Sequence, residues 1–214
     1  MSVKISPSVL SADFLDMQKD IEILEKANCD MLHLDVMDGI FVPNISFGVP
    51  VIKSIKAHTS IPLDVHLMID RPHRYIKEFA KLADCLGFHF EAGSNNAALL
   101  KEIRSLGCKA YITIKPCTKP EEIFPLLPLC DMVLVMSVEP GFGGQKFMMN
   151  SLDKIKALRA EIDRQGLNVE IEIAGGINQE TAPLAVKAGA TVLVAGSYLF
   201  CDEMADRMAF LKSL

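Results

Sequence analysis

The chain has 214 residues, half of them apolar and 23% charged, which is enough to bury the core of one domain. The net charge of −5 and the absence of a basic run argue against nucleic-acid binding, which requires clustered Lys and Arg. No apolar stretch reaches the roughly 20 residues that cross a bilayer. Six scattered cysteines without a Cys-x-x-Cys pair, and no signal-like run at the N-terminus, indicate a cytoplasmic protein without a membrane partner.

Short apolar runs alternate with amphipathic segments along the whole chain. The runs predict strands at residues 3–8, 31–37, 62–68, 85–90, 108–114, 132–137, 169–173 and 191–196. Each is followed by a predicted helix, at about 14–27, 48–57, 72–82, 95–106, 119–127, 150–165, 178–188 and 202–213. Three of these helices end at a glycine that is suited to a C-terminal cap: Gly107, Gly166 and Gly189.

Eight strand–helix units predict a (β/α)8 TIM barrel. Parallel strands need helical crossovers, and strands covered on both faces are apolar throughout. A doubly wound open sheet also alternates strands with helices, but eight regular repeats in little over 200 residues favour the compact barrel. No linker or low-complexity segment interrupts the chain, so we expect a single barrel domain over residues 1–214.

A possible metal site lies at the ends of the second and third strands. Side chains alternate along a strand, so His33, Asp35 and Met37 share one face, and Asp64, His66 and Met68 share another. Taken singly, each histidine fits a core residue and Asp35 fits a turn cap. Together, His33, Asp35 and His66 suit one divalent metal such as zinc, iron, manganese or cobalt, with coordination positions left for a substrate.

Three glycine clusters follow strands six, seven and eight: Gly141-Phe142-Gly143-Gly144, Gly175-Gly176 and Gly196-Ser197. Any one of them is an ordinary tight turn. Three in succession at the usual phosphate position of a barrel predict a phosphorylated ligand held by backbone N–H groups, helped by helix N-termini. A phosphorylated sugar with adjacent oxygens would bridge this cradle and the metal. Met37, Met68 and Met136 would add an apolar wall, although each alone fits plain core filling.

The motifs closely resemble the ribulose-phosphate 3-epimerase family over nearly the whole chain. The segments that carry the resemblance are Ser6-Pro7-Ser8-Val9-Leu10-Ser11-Ala12-Asp13-Phe14, His33-Leu34-Asp35-Val36-Met37-Asp38-Gly39, Phe41-Val42-Pro43-Asn44, Asp64-Val65-His66-Leu67-Met68 and Val135 through Phe147. The resemblance implies a metal-dependent (β/α)8 isomerase of the pentose phosphate pathway. It would interconvert D-ribulose 5-phosphate and D-xylulose 5-phosphate, as a homo-oligomer.

The resemblance also implies roles for single residues. His33, Asp35 and His66 match metal ligands, and Asp35 matches one of two acid–base groups that flank C3 of the ketose. His89 and Glu91 match a structural supporting pair, whereas His58 and His73 have the character of solvated residues. The predicted substrate contacts are Ser8, His66, Met37, Met68, Met136, Gly141, Gly143, Gly144, Gly175, Gly176, Gly196 and Ser197.

The chain departs from the family pattern at strand seven. Where the family has an acidic residue, an aliphatic one and Asp-Gly-Gly, this chain reads Glu172-Ile173-Ala174-Gly175-Gly176. Ala174 therefore stands where the second catalytic carboxylate and fourth metal ligand would be. Glu172 lies roughly 6 to 7 Å further down the strand, too far to replace it. A second departure is Ile40, where the family usually has histidine.

Three hypotheses for the function follow. The first is a ribulose-phosphate 3-epimerase impaired by Ala174, which is an engineered or a natural replacement. The second is 3-epimerisation of a six-carbon ketose phosphate such as allulose 6-phosphate, because the glycine loops do not define the length of the sugar. The third is a non-catalytic barrel that binds a phosphosugar.

Overall fold

The computed structural model describes residues 3–214. Eight parallel strands form one sheet in the order β1-β8-β7-β6-β5-β4-β3-β2. The strands are β1 Lys4–Pro7, β2 Leu32–Met37, β3 Leu63–Met68, β4 Cys85–His89, β5 Lys109–Ile114, β6 Met132–Met136, β7 Glu170–Ala174 and β8 Val192–Ala195. A parallel bridge between Ser8 and His33 joins the end of β1 to β2, so the sheet closes on itself and the predicted (β/α)8 barrel is confirmed.

Helices lie between the strands. The α-helices are α1 Met17–Lys26, α2 Val49–His58, α3 Ile76–Phe79, α4 Asn96–Ser105, α5 Ser151–Gln165, α6 Thr181–Ala188 and α7 Met204–Lys212, and the 3₁₀ helices are Val9–Ser11, Pro72–Arg74 and Pro120–Leu129. Within residues 3–214, no helix has the length and apolar character that a membrane span requires. The predicted single domain over 1–214 includes Met1 and Ser2, which lie outside the described residues.

Two helices predicted from the sequence have a different form in the structure. The segment predicted as a helix at 119–127 is the 3₁₀ helix Pro120–Leu129. Pro125 and Pro128 lie inside it, and proline lacks the N–H and the space that an α-helical interior requires. The segment predicted at 72–82 is interrupted at Tyr75, whose φ of −120° and ψ of −14° leave the α-helical region, so only α3 remains. The predicted glycine caps are confirmed, and Gly166 and Gly189 both end their helices in the left-handed conformation.

The register of the strands decides which side chains meet inside the barrel. On β2 and β3, His33 pairs with Asp64, Asp35 with His66, and Met37 with Met68. Alternate residues point inward, so these pairs form successive layers toward the carboxyl ends of the strands. The other face of each strand packs on the helices in the main core, where Leu34, Val65 and Ile55 are almost fully buried. The layers and the core together position the candidate site.

Gly87 on β4 provides the first testable prediction. It pairs with Tyr111 on β5, and a Cβ at residue 87 would lie 1.9 Å from Cε2 of the fully buried Tyr111 ring. We therefore expect Gly87→Ala to lower the free energy of unfolding by about 1–3 kcal/mol, the usual cost of overpacking, in urea denaturation. Gly143→Ala is the control, because a Cβ there meets nothing nearer than 3.8 Å, and equal losses in the two variants would contradict the packing argument.

Candidate active site

A cavity of about 620 Å³, including its open side, lies at the carboxyl ends of the strands. Asp35 and Ala174 line it, as does every predicted substrate contact except His66. The cavity is also lined by residues that the sequence does not mark as substrate contacts: Leu10, Ser11, Val138, Glu139, Pro140, Phe142, Gln145, Ile177 and Val194. None of the described lining residues is Lys or Arg, so an anion in this cavity would be held by backbone N–H groups and neutral side chains.

The three predicted metal ligands meet at one wall of the cavity. Oδ1 of Asp35 lies 3.3 Å from Nε2 of His33 and 3.0 Å from Nδ1 of His66. Both histidines are fully buried, whereas Asp35 is 8% exposed and reaches the cavity. Ser8 donates a hydrogen bond from Oγ to Oδ2 of Asp35 at 2.6 Å, which leaves Oδ1 to face the two imidazoles.

These donors fit a divalent metal. Nε2 of His33 is buried and, although Oδ1 of Asp35 lies 3.3 Å away, it makes no hydrogen bond among the described residues. That is unusual for a buried polar atom unless something else binds it. One donor atom each from His33, Asp35 and His66 lie within 4.8 Å of one another. Two imidazole nitrogens and a carboxylate form a ligand set used by zinc, iron, manganese and cobalt. The residues therefore fit the metal that the sequence predicts.

The other nitrogen of His33 faces two acids. Nδ1 lies 2.5 Å from Oδ2 of Asp64 and 3.8 Å from Oε1 of Glu172. The shorter distance is a hydrogen bond with no room for a cation between the atoms. Burial alone would lower the pKa of His33, but the charges of Asp35 and Asp64 raise it well above its usual value. Asp64 thus orients His33, a role that the sequence pattern does not indicate.

Glu172 does not replace the missing acid. Its side chain is fully buried, and both carboxylate oxygens have no hydrogen-bond partner among the described residues. Burial, followed by repulsion from Asp64, raises the pKa of Glu172 well above its usual value, which favours the protonated form. It lies beside Nδ1 of His33 and does not line the cavity. Its position agrees with the expectation that Glu172 lies too deep to act on a substrate.

Ala174 lies at the end of β7 with its methyl group at the cavity. Its carbonyl oxygen accepts hydrogen bonds from the backbone N and from Oγ of Ser137, at 2.8 and 2.9 Å. The same hydroxyl lies 2.6 Å from the carbonyl of Gly175. The backbone at this position is therefore held by its neighbours and does not depend on the side chain at residue 174.

The glycine loops approach one another closely. Gly176 has a φ of +63°, and a Cβ there would lie 2.5 Å from the backbone N of Phe147. A Cβ on Gly196 would lie 2.6 Å from Oγ of Ser11. Gly176 requires glycine, because its φ is left-handed and its neighbour is backbone, whereas the Ser11 side chain could rotate away from residue 196. Such loops can turn backbone N–H groups toward an oxyanion.

The expected contribution from helix N-termini differs from the structure. The α-helices that follow the three glycine loops begin only at Ser151, Thr181 and Met204, after intervening turns. The turn after β8 is closed by the N–H groups of Leu199 and Phe200, which donate to the carbonyl of Gly196. The predicted cradle therefore consists of loop N–H groups without a helix directly attached to it.

The remaining residues singled out from the sequence lie away from the cavity. Ile40 is 77% exposed and does not line it. His58 and His73 are exposed, as expected of solvated residues. His66 is the one predicted substrate contact outside the lining, because its two ring nitrogens face Asp35 and His89.

Comparison with known proteins identifies the family. The family model described as "Ribulose-phosphate 3 epimerase family" matches residues 4–200. The chain belongs to the ribulose-phosphate 3-epimerase family. Its relatives include ribulose-phosphate 3-epimerases from Bacillus subtilis, 45% identical over 92% of both chains, and from Mycobacterium bovis, 44% identical over 97% of this chain and 91% of the relative. Members of this family are isomerases that depend on a metal.

Two solved structures show the same fold at low identity. The tryptophan synthase α-subunit of Pyrococcus furiosus has a TM-score of 0.72 and 14% identity, and covers 100% of this chain and 98% of its own. A 3-hexulose-6-phosphate synthase has a TM-score of 0.68 and 18% identity, with 100% and 99% coverage. These similarities support the barrel architecture alone.

Metal binding can be tested at His33. We expect the protein to bind Co²⁺ or Zn²⁺. We expect His33→Gln to weaken that binding by more than about 10-fold, because changing even a residue that only supports a metal ligand costs at least about that much affinity. A titration of Co²⁺ absorbance or equilibrium dialysis measures this. His58→Gln, at an exposed helical position, should bind as the unchanged protein does; equal affinity in all three proteins would place the metal elsewhere.

Proposed function

We propose that this chain binds a phosphorylated ketose and exchanges its C3 proton from one side only, so that epimerisation is severely impaired. The observation that carries the proposal is the pairing of an intact Asp35 with Ala174 in one cavity. Inversion at C3 removes a proton from one face and returns one to the other, which requires two acid–base groups. Asp35 can serve one face, whereas a methyl group can serve neither.

The charge state of Asp35 supports its role as the base. Burial would raise the pKa of this carboxyl, but the neighbouring imidazoles of His33 and His66 lower the pKa below its ordinary range. Asp35 is therefore a carboxylate at neutral pH, and its exposed edge faces the cavity. His33, Asp35 and His66 would hold a divalent metal, which would neutralise the negative charge that develops on the substrate when C3 loses its proton.

The glycine loops are the proposed binding site for the phosphate of the substrate. Gly144, Gly176, Gly196 and Ser197 line the cavity together, and no cationic side chain lines it among the described residues. Asn44 donates from Nδ2 to the carbonyl of Gly141 at 2.7 Å, and so connects the loop after β2 to the loop after β6. Met37, Met68 and Met136 would provide the apolar wall.

The wider setting is proposed as well. We infer a cytoplasmic homo-oligomer formed by a single barrel domain, without a nucleic-acid or membrane partner. All six cysteines are free thiols, which agrees with a reducing compartment. Leu15 is 98% exposed and Phe14 52%, and a second copy of the chain would cover such side chains favourably. Analytical ultracentrifugation would report the oligomeric state.

Restoring the acid tests the impairment. We expect Ala174→Asp to raise the rate of epimerisation of D-ribulose 5-phosphate by about 10²–10⁴-fold, the usual contribution of a positioned acid–base group, in a coupled assay. Ala174→Asn is the matched control, because its side chain has the same shape and cannot carry the proton. Ordinary turnover by the unchanged chain would refute the impairment.

The same variant separates the other hypotheses. Faster turnover of a six-carbon ketose phosphate such as allulose 6-phosphate by Ala174→Asp would favour the longer substrate, since nothing in the glycine loops measures sugar length. Tight binding of D-ribulose 5-phosphate without activity in Ala174→Asp would favour a non-catalytic binding protein.

The proposal also predicts that the C3 proton is exchanged from one side of the sugar only. In D₂O, the unchanged protein should exchange the C3 proton of one epimer, the one whose C3 hydrogen faces Asp35. The C3 proton of the other epimer should exchange no faster than it does without protein. Mass spectrometry of the recovered sugars measures the exchange, and Asp35→Asn should abolish it. Equal incorporation into both epimers would mean that a second group reaches the opposite face.

A further inference from the structure

A cation is attached to the turn that follows β8. Nη1 of Arg207, on α7, donates to the carbonyl of Tyr198 at 2.7 Å, and its guanidinium carbon lies 4.9 Å from the centre of the Tyr198 ring. Arg207 does not line the cavity, whereas Ser197, the residue before Tyr198, does. A guanidinium is always charged in proteins, so a positive charge is fixed to this turn from outside the cavity.

Glu203 holds the guanidinium on its other edge. Oε2 of Glu203 accepts from Nη2 and Nε of Arg207, at 2.9 and 3.2 Å, which leaves Nη1 for the Tyr198 carbonyl. Arg207 is the less exposed partner, with 32% of its side chain accessible against 67% for Glu203. The guanidinium therefore links a solvent-facing carboxylate to the backbone of the turn.

The turn connects this charge to the cavity through two peptide groups. The carbonyl of Tyr198 belongs to the same peptide group as the N–H of Leu199. That N–H donates to the carbonyl of Gly196 at 2.8 Å, and the Gly196 carbonyl belongs to the same peptide group as the N–H of Ser197. A line of hydrogen bonds therefore runs from Nη1 of Arg207, through both peptide groups, to the N–H of Ser197.

The N–H of Ser197 is the free end of this line. Ser197 lies outside the helices and strands, and its N–H donates to no acceptor among the described residues. The N–H of Tyr198 beside it is likewise unused within residues 3–214. Successive free N–H groups in a turn form an anion-binding site, and Ser197 lines the cavity. An anion bound there can accept a hydrogen bond from Ser197.

Hydrogen bonds in such a line strengthen one another. A donor polarises the carbonyl that accepts from it, and the N–H of the same peptide group then becomes a stronger donor. The first donor here is a full positive charge, and charge-assisted hydrogen bonds are about twice as strong as neutral ones. Leu199, in the middle of the line, is fully buried, and surroundings of low polarity preserve the effect.

We propose that Arg207 is a positioning residue for the phosphate of the ligand. It holds the turn after β8 and, through the two peptide groups, makes the N–H of Ser197 a stronger donor to the phosphate. The acidic chain thus uses a positive charge for an anion without placing a cationic side chain in the cavity. This inference rests on the proposed function, because it takes the phosphate site on the glycine loops as given.

Binding of inorganic phosphate tests the role of Arg207. We expect Arg207→Gln to raise the Kd for phosphate about 3- to 10-fold, the effect of losing one hydrogen bond, in a titration followed by NMR. Glu203→Gln is the matched control, because it removes the negative charge beside the guanidinium and keeps the bond to Tyr198. It should bind phosphate as tightly as the unchanged protein, or more tightly. If both variants weaken binding alike, Arg207 only anchors α7, and the proposal fails.

The amide signals of the turn distinguish transmission along the line from simple attraction through space. Without phosphate, Arg207→Gln should move the amide protons of Leu199 and Ser197 upfield and leave that of Gly144, in the loop after β6, in place. Weaker phosphate binding with unchanged Leu199 and Ser197 signals would overturn the transmission. In the unchanged protein, saturating phosphate should move the Ser197 amide proton downfield, and its failure to move would overturn the inference without any variant.

The outcomes also separate this inference from the proposed function. If the unchanged protein bound neither inorganic phosphate nor D-ribulose 5-phosphate, the phosphate site itself would be overturned, and the role given to Arg207 with it. If the unchanged protein and Arg207→Gln bound phosphate equally tightly, only the inference would be overturned, because one-sided exchange by Asp35 does not involve Arg207.

Discussion

The parallel register between β2 and β3 is the constraint on which the site depends. It places Asp35 directly beside His66 and His33 directly beside Asp64. Side chains alternate between the two faces of a strand. A shift of β3 by one residue relative to β2 would therefore turn Asp64 and His66 toward the helices and away from His33 and Asp35. The apolar residues between them, Leu34 and Val65, are fully buried in the main core. Burial of those residues therefore fixes the register, and the register aligns the acids with the imidazoles.

Ionisable groups inside the barrel are tolerated because nearly all of them are paired. Burying an unpaired charge is costly, and Asp35 and Asp64 each contact a histidine. Glu172 makes no hydrogen bond among the described residues, and burial together with repulsion from Asp64 raises the pKa of its carboxyl, which favours the neutral form. The polar interior is consequently a connected set, in which a change to one acid affects the orientation or proton of the imidazole beside it.

Much of this arrangement follows from the sequence, and the remainder depends on contacts that a linear pattern does not contain. Apolar runs and glycine caps predict the strands and most helix ends, and strand alternation predicts that Asp35 and His66 meet. Prolines inside Pro120–Leu129 override a helical pattern that otherwise looks regular. The contact between His66 and His89 crosses from β3 to β4, so its geometry depends on the rotation of the two rings, which the spacing of residues along the chain does not reveal.

The surroundings of Ala174 show that the backbone at this position is held independently of its side chain. The carbonyls of Ala174 and Gly175 are both bound by Ser137, so the course of the backbone there does not depend on the side chain at 174. Gly176 keeps its close approach to Phe147, and Ser8 keeps its hydrogen bond to Asp35. Whether residue 174 carries a methyl group or a carboxylate, these contacts would hold the glycine loops in the same positions. Under the proposed function, a barrel with this backbone would still recognise a phosphosugar although Ala174 carries no acid–base group, whether Ala174 is an engineered or a natural replacement.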